Sequence, residues 1–347
     1  MDLQTNRINE LLFVDVNQDQ SCFVVGTETG FRVYSIDPFR LTFSRSFEGA
    51  SGLGFVAMLY RSNILALVGG GRNPRFQPHK VVLWDDRQPR PIAELSFRTS
   101  VKAVRMQREF IAVAIETKIY LYRFHDLLLI DHLETAPNAR GLLCLVSTAS
   151  VLLVAPSPVL GKVLLLSYAT TTPGSVDTIT KTRTLTVSAH EGALAAVGVT
   201  GDGSQVATAS EKGTLVRIFE ASTGQLVHEL RRGVDRAEIY ALQFNLTAEY
   251  LAVTSDKGTV HLFNLGRVGQ GKNAKSNLSF LGGYFQSEWS FAQLRIPDYR
   301  AIVAFGAEPN TLVVLCADGS YIKAKWDPLL GGDMTKIDQA NFATDLV

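Results

Sequence analysis

Arg231 and Arg232 stand side by side between Leu230 and Gly233, where a strand-like run ends. A guanidinium is a planar, permanently charged fork that matches phosphate oxygens. Successive strand residues point to opposite faces, so adjacent arginines can serve two pockets, one on each side. Before the pair come Thr208, Ser210, Gly213, Thr214 and Arg217; after it come Ser255, Lys257, Gly258, Thr259 and His261. Each set offers hydroxyls, a glycine turn that bares backbone N–H groups, and a cationic or imidazole side chain. Phosphate oxygens are held by such convergent donors. His190 leads toward the first set and adds a donor to it. Taken singly, each residue reads as ordinary turn capping. Together they read as two anion sites, the first completed by Arg231 and the second by Arg232.

The elements that position these residues repeat. A short apolar strand, a turn of Ser, Thr, Asp, Lys and Gly, and a strand ending on an aromatic recur along the chain. Ala207–Phe219 and Ala252–Phe263 are the clearest copies, their final phenylalanines 44 residues apart. Val24–Tyr34, Val113–Tyr122 and Val313–Tyr321 follow the same plan, and Trp84 takes the aromatic place in another copy. Several short strands per unit at this period predict an all-β, seven-bladed WD-repeat β-propeller. Blades are expected near 7–48, 52–98, 99–136, 138–187, 188–232, 234–297 and 299–340, forming a single domain over 1–347.

Composition narrows the partners. The chain has 347 residues, 46% of them hydrophobic, and a net charge of +1. That supports a substantial core and provides no global field for nucleic acid, so anion binding must be local. Met1–Glu10 is polar and the apolar stretch Val151–Tyr168 is broken by Pro156, Pro158 and Lys162, so neither a signal sequence nor a membrane span is expected. Cys22, Cys144 and Cys316 are widely spaced within apolar runs and read as buried thiols of a reducing cytosol. No metal-ligand spacing stands out, and no cofactor is expected. Gly69–Lys80 lacks the Lys-Ser/Thr ending of a nucleotide loop and reads as a hairpin or partner surface. His190, Asp202 and Ser210 lack a nucleophile elbow, so an enzyme is not expected.

Residues 266–287 exceed what a blade needs. Arg267, Lys272 and Lys275 lie in the first half, and Leu278, Phe280, Leu281, Tyr284 and Phe285 in the second. Basic residues beside aromatics and leucine make an interfacial membrane contact. Trp289-Ser290-Phe291-Ala292, just beyond, alternates like a packed strand.

The region Ala189–Leu265, with its Leu-Arg-Arg-Gly, resembles the signature of the PROPPIN family of phosphoinositide-binding propellers, in the form found in its shorter WIPI subgroup. The likeness extends to Asn17-Gln18-Asp19, Leu65–Gly71, Ser287–Ala292 and Cys316–Tyr321. It implies a seven-bladed propeller with two sites for phosphatidylinositol 3-phosphate and phosphatidylinositol 3,5-bisphosphate. Thr208, Ser210, Gly213, Thr214, Arg217 and Arg231 would form one, and Arg232, Gly233, Ser255, Thr259 and His261 the other. It also implies a membrane-inserting loop at 266–287 and an autophagy lipid-transfer protein as partner. Asn17 and Asp19, with the Gly69–Lys80 loop, are the expected partner surface, as polar early-blade residues. The expected protein is a cytoplasmic monomer that attaches peripherally to autophagosome-precursor, endosomal or vacuolar/lysosomal membranes. The alternative is a protein scaffold whose basic rim binds acidic peptide segments.

Overall fold

Strands such as Cys22–Thr27 and Tyr250–Ser255 are buried along their whole length, because both of their faces meet a neighbouring sheet. Outer strands such as Arg40–Ser46 alternate toward solvent. A set of small sheets packed face to face in a ring meets both demands. The computed structural model describes residues 10–172, 175–266, 287–297 and 300–343, and among them every regular element is a strand.

Seven antiparallel sheets follow one another along the chain. They begin with the strands Leu11–Val16, Leu53–Met58, Ala103–Met106, Cys144–Ser147, Leu194–Val199, Ile239–Phe244 and Ala301–Phe305, which form the inner wall. Seven apolar clusters fill the seven gaps between adjacent blades, including the gap from the last blade to the first. The ring is thus a closed seven-bladed β-propeller.

Two sheets carry a fifth strand laid parallel on the outer edge. Glu288–Trp289, after the blade-six insertion, pairs with Leu230–Arg231 of blade five. Gly332–Asp333 of blade seven pairs with Ala292–Gln293 of blade six. Trp289 and Phe291 therefore pack on different blades, and the expected single inserted strand is two pieces. Phe291 lies in the core between blades six and seven.

Among the described residues the first and last blades share no strand. They are joined by side chains: Tyr34 donates to the Phe342 carbonyl at 3.2 Å, and Tyr321 to the Ile36 carbonyl at 2.8 Å. Phe23 stacks on Tyr34 at 4.8 Å and meets Phe342 edge-on.

A central channel of about 800 Å³ runs between the inner strands. One turn of blade one crosses it. Gln18 donates to the carbonyls of Met58 and Met106, while Gln20 donates to that of Phe244 and accepts from the Phe305 amide. Asn17 belongs to this turn. It is 5% exposed, and its side-chain oxygen accepts from the amides of Ser21 and Cys22. The expectation of Asn17 as an open partner contact is therefore corrected: its amide is consumed in holding the turn. Asp19 is half-buried and accepts from Ser21.

The Gly69–Lys80 segment is pinned rather than loose. Ser51 and Gly52 donate to the Asn73 carbonyl, Glu28 accepts the Arg72 amide, and the Arg75 guanidinium lies 4.9 Å above the Phe47 ring. Cys22 and Cys316 are buried free thiols, whereas Cys144 is only partly covered.

Candidate anion-binding rim on blades five and six

The register of blade five sorts its side chains. Thr208 lies opposite Arg217, Arg217 opposite Glu229, and Leu215 opposite Arg231. Directly opposed residues of antiparallel strands share a face. Thr208, Arg217, Glu229 and Arg231 therefore occupy the same face. On the other face Ala209, Val216 and Leu230 enter the apolar cluster shared with blade six. That burial of Leu230 fixes the direction of Arg231.

Arg232 lies one residue past the strand and turns to the blade-six side. Its amide donates to the Thr214 carbonyl at 3.0 Å. Its guanidinium donates to the Gly213 carbonyl at 2.9 Å and to the Asp235 carbonyl. Both arginines are only 6% exposed. Burial lowers the Arg232 pKa, opposed by the carboxylates of Asp256 and Asp235. An arginine remains charged under such a shift.

Each half-site holds a histidine against a hydroxyl beside a cation. His190 Nε2 lies 3.0 Å from Thr208 Oγ1, and its pKa falls to about 4 through burial and the nearby Arg217 charge. His261 Nδ1 lies 3.2 Å from Ser290 Oγ, and its pKa falls to about 4 through burial and the Arg232 charge. Both imidazoles are neutral at pH 7, and each offers a ring nitrogen as hydrogen-bond donor or acceptor.

The glycine turns shape the edges. Gly213 has φ +63°, and a Cβ there would lie 1.9 Å from the Ala237 carbonyl oxygen. Only glycine meets both demands. Ser210 and Thr214 are buried on either side of it. In blade six Gly258 has φ +65°, buried Ser255 accepts the Lys257 amide at 3.4 Å, and Thr259 lies opposite Arg295. Lys257 is directed to Asp256 at 3.4 Å. A Cβ on Gly233 would meet nothing within 4 Å.

Several residues of this rim escaped the sequence reading. Glu229 accepts from Arg217 Nε at 2.9 Å with one oxygen and from Ser287 Oγ at 2.8 Å with the other. Arg217 also donates to the Ala189 carbonyl at 2.7 Å. Counting donors for phosphate passed over an acid, although Glu229 sits two residues before Arg231 and so on its face. Ser287 and Ser290 come from beyond the insertion, and no spacing in the sequence announces them. The insertion residues Leu278, Phe280, Leu281, Tyr284 and Phe285 lie outside the described residues. No grouping of three or more metal-ligating side chains occurs among the described residues.

The fold and rim define a seven-bladed propeller with two adjoining cationic half-sites. The PROPPIN family model matches residues 11–299. Autophagy-related protein 18e of Arabidopsis thaliana is 37% identical over 342 residues, covering 96% of this chain and 88% of that protein. Autophagy-related protein 18 of Dictyostelium discoideum is 30% identical, covering 94% and 92%. A solved Hsv2 of Kluyveromyces lactis superposes with a TM-score of 0.77 at 25% identity, covering 96% of this chain and 99% of that one. The chain belongs to the PROPPIN family. Its relatives are autophagy-related propellers and not enzymes.

Proposed function

We propose that this chain is a peripheral membrane protein that binds phosphatidylinositol 3-phosphate and phosphatidylinositol 3,5-bisphosphate and recruits autophagy or endolysosomal machinery to the membranes that carry them. The reading is carried by one observation: Arg231 lies on the Thr208–Arg217 face of blade five, while Arg232 turns to the His261 side. Arg231 then shares its face with Thr208 and Arg217, beside His190, and Arg232 lies beside His261, so that each arginine belongs to a donor set suited to one phosphorylated inositol.

Magnitudes support using both half-sites at once. A charge-assisted hydrogen bond contributes roughly 1.5–3 kcal/mol net, so one pocket is a reversible anchor. Two pockets on a rigid rim raise avidity by about 10²–10⁴ without new contacts. The insertion at 266–287, with its basic and aromatic halves, adds membrane contact. The protein would be retained where the 3-phosphorylated lipid is dense and released elsewhere.

A protein partner has a place on the opposite arc. A cleft of about 380 Å³ at blade three is lined by Arg98, Thr99, Thr117, Lys118, Tyr120 and His132. That chemistry suits an acidic segment. Among similar folds is a complex of KlAtg21 with the coiled coil of AgAtg16, so docking of a second protein on such a propeller has a precedent.

Flotation with liposomes across the phosphoinositides tests the reading. Wild-type protein should float with the 3-phosphorylated lipids, and the Arg231→Thr, Arg232→Thr double variant should stay in solution while still unfolding in one cooperative transition. Wild-type protein indifferent to these lipids would instead leave an acidic-peptide scaffold.

A further inference from the structure

Leu329 and Leu330 are adjacent apolar side chains held in water, 65% and 84% exposed. They form the tip of a turn between the strands Ser320–Lys325 and Thr335–Asn341 of blade seven. The turn is rigid. Asp327 Oδ1 accepts the Leu329 and Leu330 amides at 2.8 and 2.9 Å, and its carbonyl accepts the Gly331 amide at 3.0 Å. Trp326 before the turn and Met334 after it are buried in the core between blades six and seven. Two anchored feet therefore hold two leucines in water.

The turn does not stay on its own blade. Gly332 donates to the Phe291 carbonyl at 3.0 Å and Met334 to the Gln293 carbonyl at 2.7 Å. Gln293 donates to Ser290 Oγ at 2.9 Å, and Ser290 meets His261. The leucine tip is thus fixed to the outer edge of blade six through a short chain of hydrogen bonds from the second half-site. A membrane laid against the outer edge of blade six would face both His261, whose partner Ser290 lies on that edge, and this tip.

We propose that the Leu329–Leu330 tip is a membrane-inserting element that enters the acyl boundary beside blade six. The proposal rests on the lipid reading of the rim. The shape of the tip selects a bilayer over a protein. It is a convex pair of side chains, whereas a stable protein interface takes about 800 Å² from each partner. Lipid tails close around a convex tip and need no matching surface. The exposed part of each leucine is then transferred from water to hydrocarbon. The Asp327 carboxylate, already engaged by two amides, keeps the turn in shape as the leucines enter.

The full chain carrying Leu329→Ser and Leu330→Ser is floated with phosphatidylcholine vesicles containing phosphatidylinositol 3-phosphate. Retention should fall by about tenfold or more, while calorimetric binding of soluble inositol 1,3-bisphosphate stays at the wild-type value. In a second measurement Leu330→Cys, in a Cys144→Ala background, carries an environment-sensitive dye. Its emission should shift to the blue on these vesicles and be quenched by lipids brominated in the acyl chain. Undiminished retention of the serine variant, or a dye that remains in water while the protein floats, overturns the proposal and leaves the lipid reading standing. A dye that responds only when a second protein is added also overturns it. Wild-type protein that does not float at all removes both.

Discussion

The Ser287 hydroxyl donates a hydrogen bond of 2.8 Å to Glu229, and Glu229 in turn holds Arg217. The chain returning from the blade-six insertion is thereby tied into the first half-site. Three residues later Ser290 contacts His261 in the second. One short segment, Ser287–Ser290, joins both half-sites to the base of the insertion.

Glu229 competes with an incoming phosphate for Arg217. Neutralising it with Glu229→Gln should tighten headgroup binding at the first half-site by about fivefold, the scale of a partly exposed ion pair. Calorimetry with inositol 1,3-bisphosphate in an Arg232→Thr background isolates that site. An unchanged or weaker affinity means that Arg217 does not reach the ligand.

The two histidines set a pH dependence of known sign. Their folded-state pKa of about 4 lies below the ordinary 6.5. The unfolded chain takes up protons that the folded chain refuses, so their contribution to stability is full above pH 6.5 and drains away as pH falls toward 4. For buried His261 the amount is on the order of 3 kcal/mol. Bound phosphate favours the protonated ring, so headgroup affinity should rise as pH drops from about 7 to about 5. His261→Gln should make both profiles shallower, leaving the share of His190, as measured by thermal melting and by calorimetry; profiles that keep their full slope assign the titration elsewhere.

Arg232 serves the fold as well as a ligand. Its guanidinium holds the Gly213 and Asp235 carbonyls, and Arg232→Thr leaves those oxygens without it. The variant should melt a few degrees lower and lose the second class of headgroup sites. A variant with wild-type melting and reduced binding would restrict Arg232 to ligand contact.

Gly213 and Gly233 should separate cleanly. Gly213→Ala forces a Cβ against the Ala237 carbonyl at positive φ and should cost about 1–3 kcal/mol or more. Gly233→Ala meets open space and should leave the melting temperature unchanged. If it nevertheless weakens headgroup binding, a ligand passes close to the Gly233 backbone. Chemical denaturation and calorimetry on the two variants decide this.

Much of this was legible in the sequence because propeller physics is periodic. The apolar runs before the turns mark strands buried on both faces, as in Gln205–Ser210 and Tyr250–Ser255, and Gly213 and Gly258 mark the turns that follow them. The two-residue period of the strand fixes the face of Arg231, whereas Arg232, one residue past the strand end, takes its direction from the Thr214, Gly213 and Asp235 carbonyls. Glu229 obeyed the same period and was missed because the reading sought donors alone. Ser287, Ser290 and the Gly332–Asp333 edge strand depend on which blade the chain crosses to, and local patterning does not encode that. Asn17 was misjudged because a polar residue in a turn reads as exposed, whereas this turn folds into the channel.

The seam between blades one and seven has consequences for how the ring is handled. Blades five and six, and six and seven, share an edge strand, but this junction is held by the packing of Phe23, Tyr34 and Phe342 together with the Tyr34 and Tyr321 hydrogen bonds. Removing Phe342 would unfasten the circle without breaking any single sheet. A bulky group attached hard against that residue would strain the latch and loosen the wheel at this aromatic clasp.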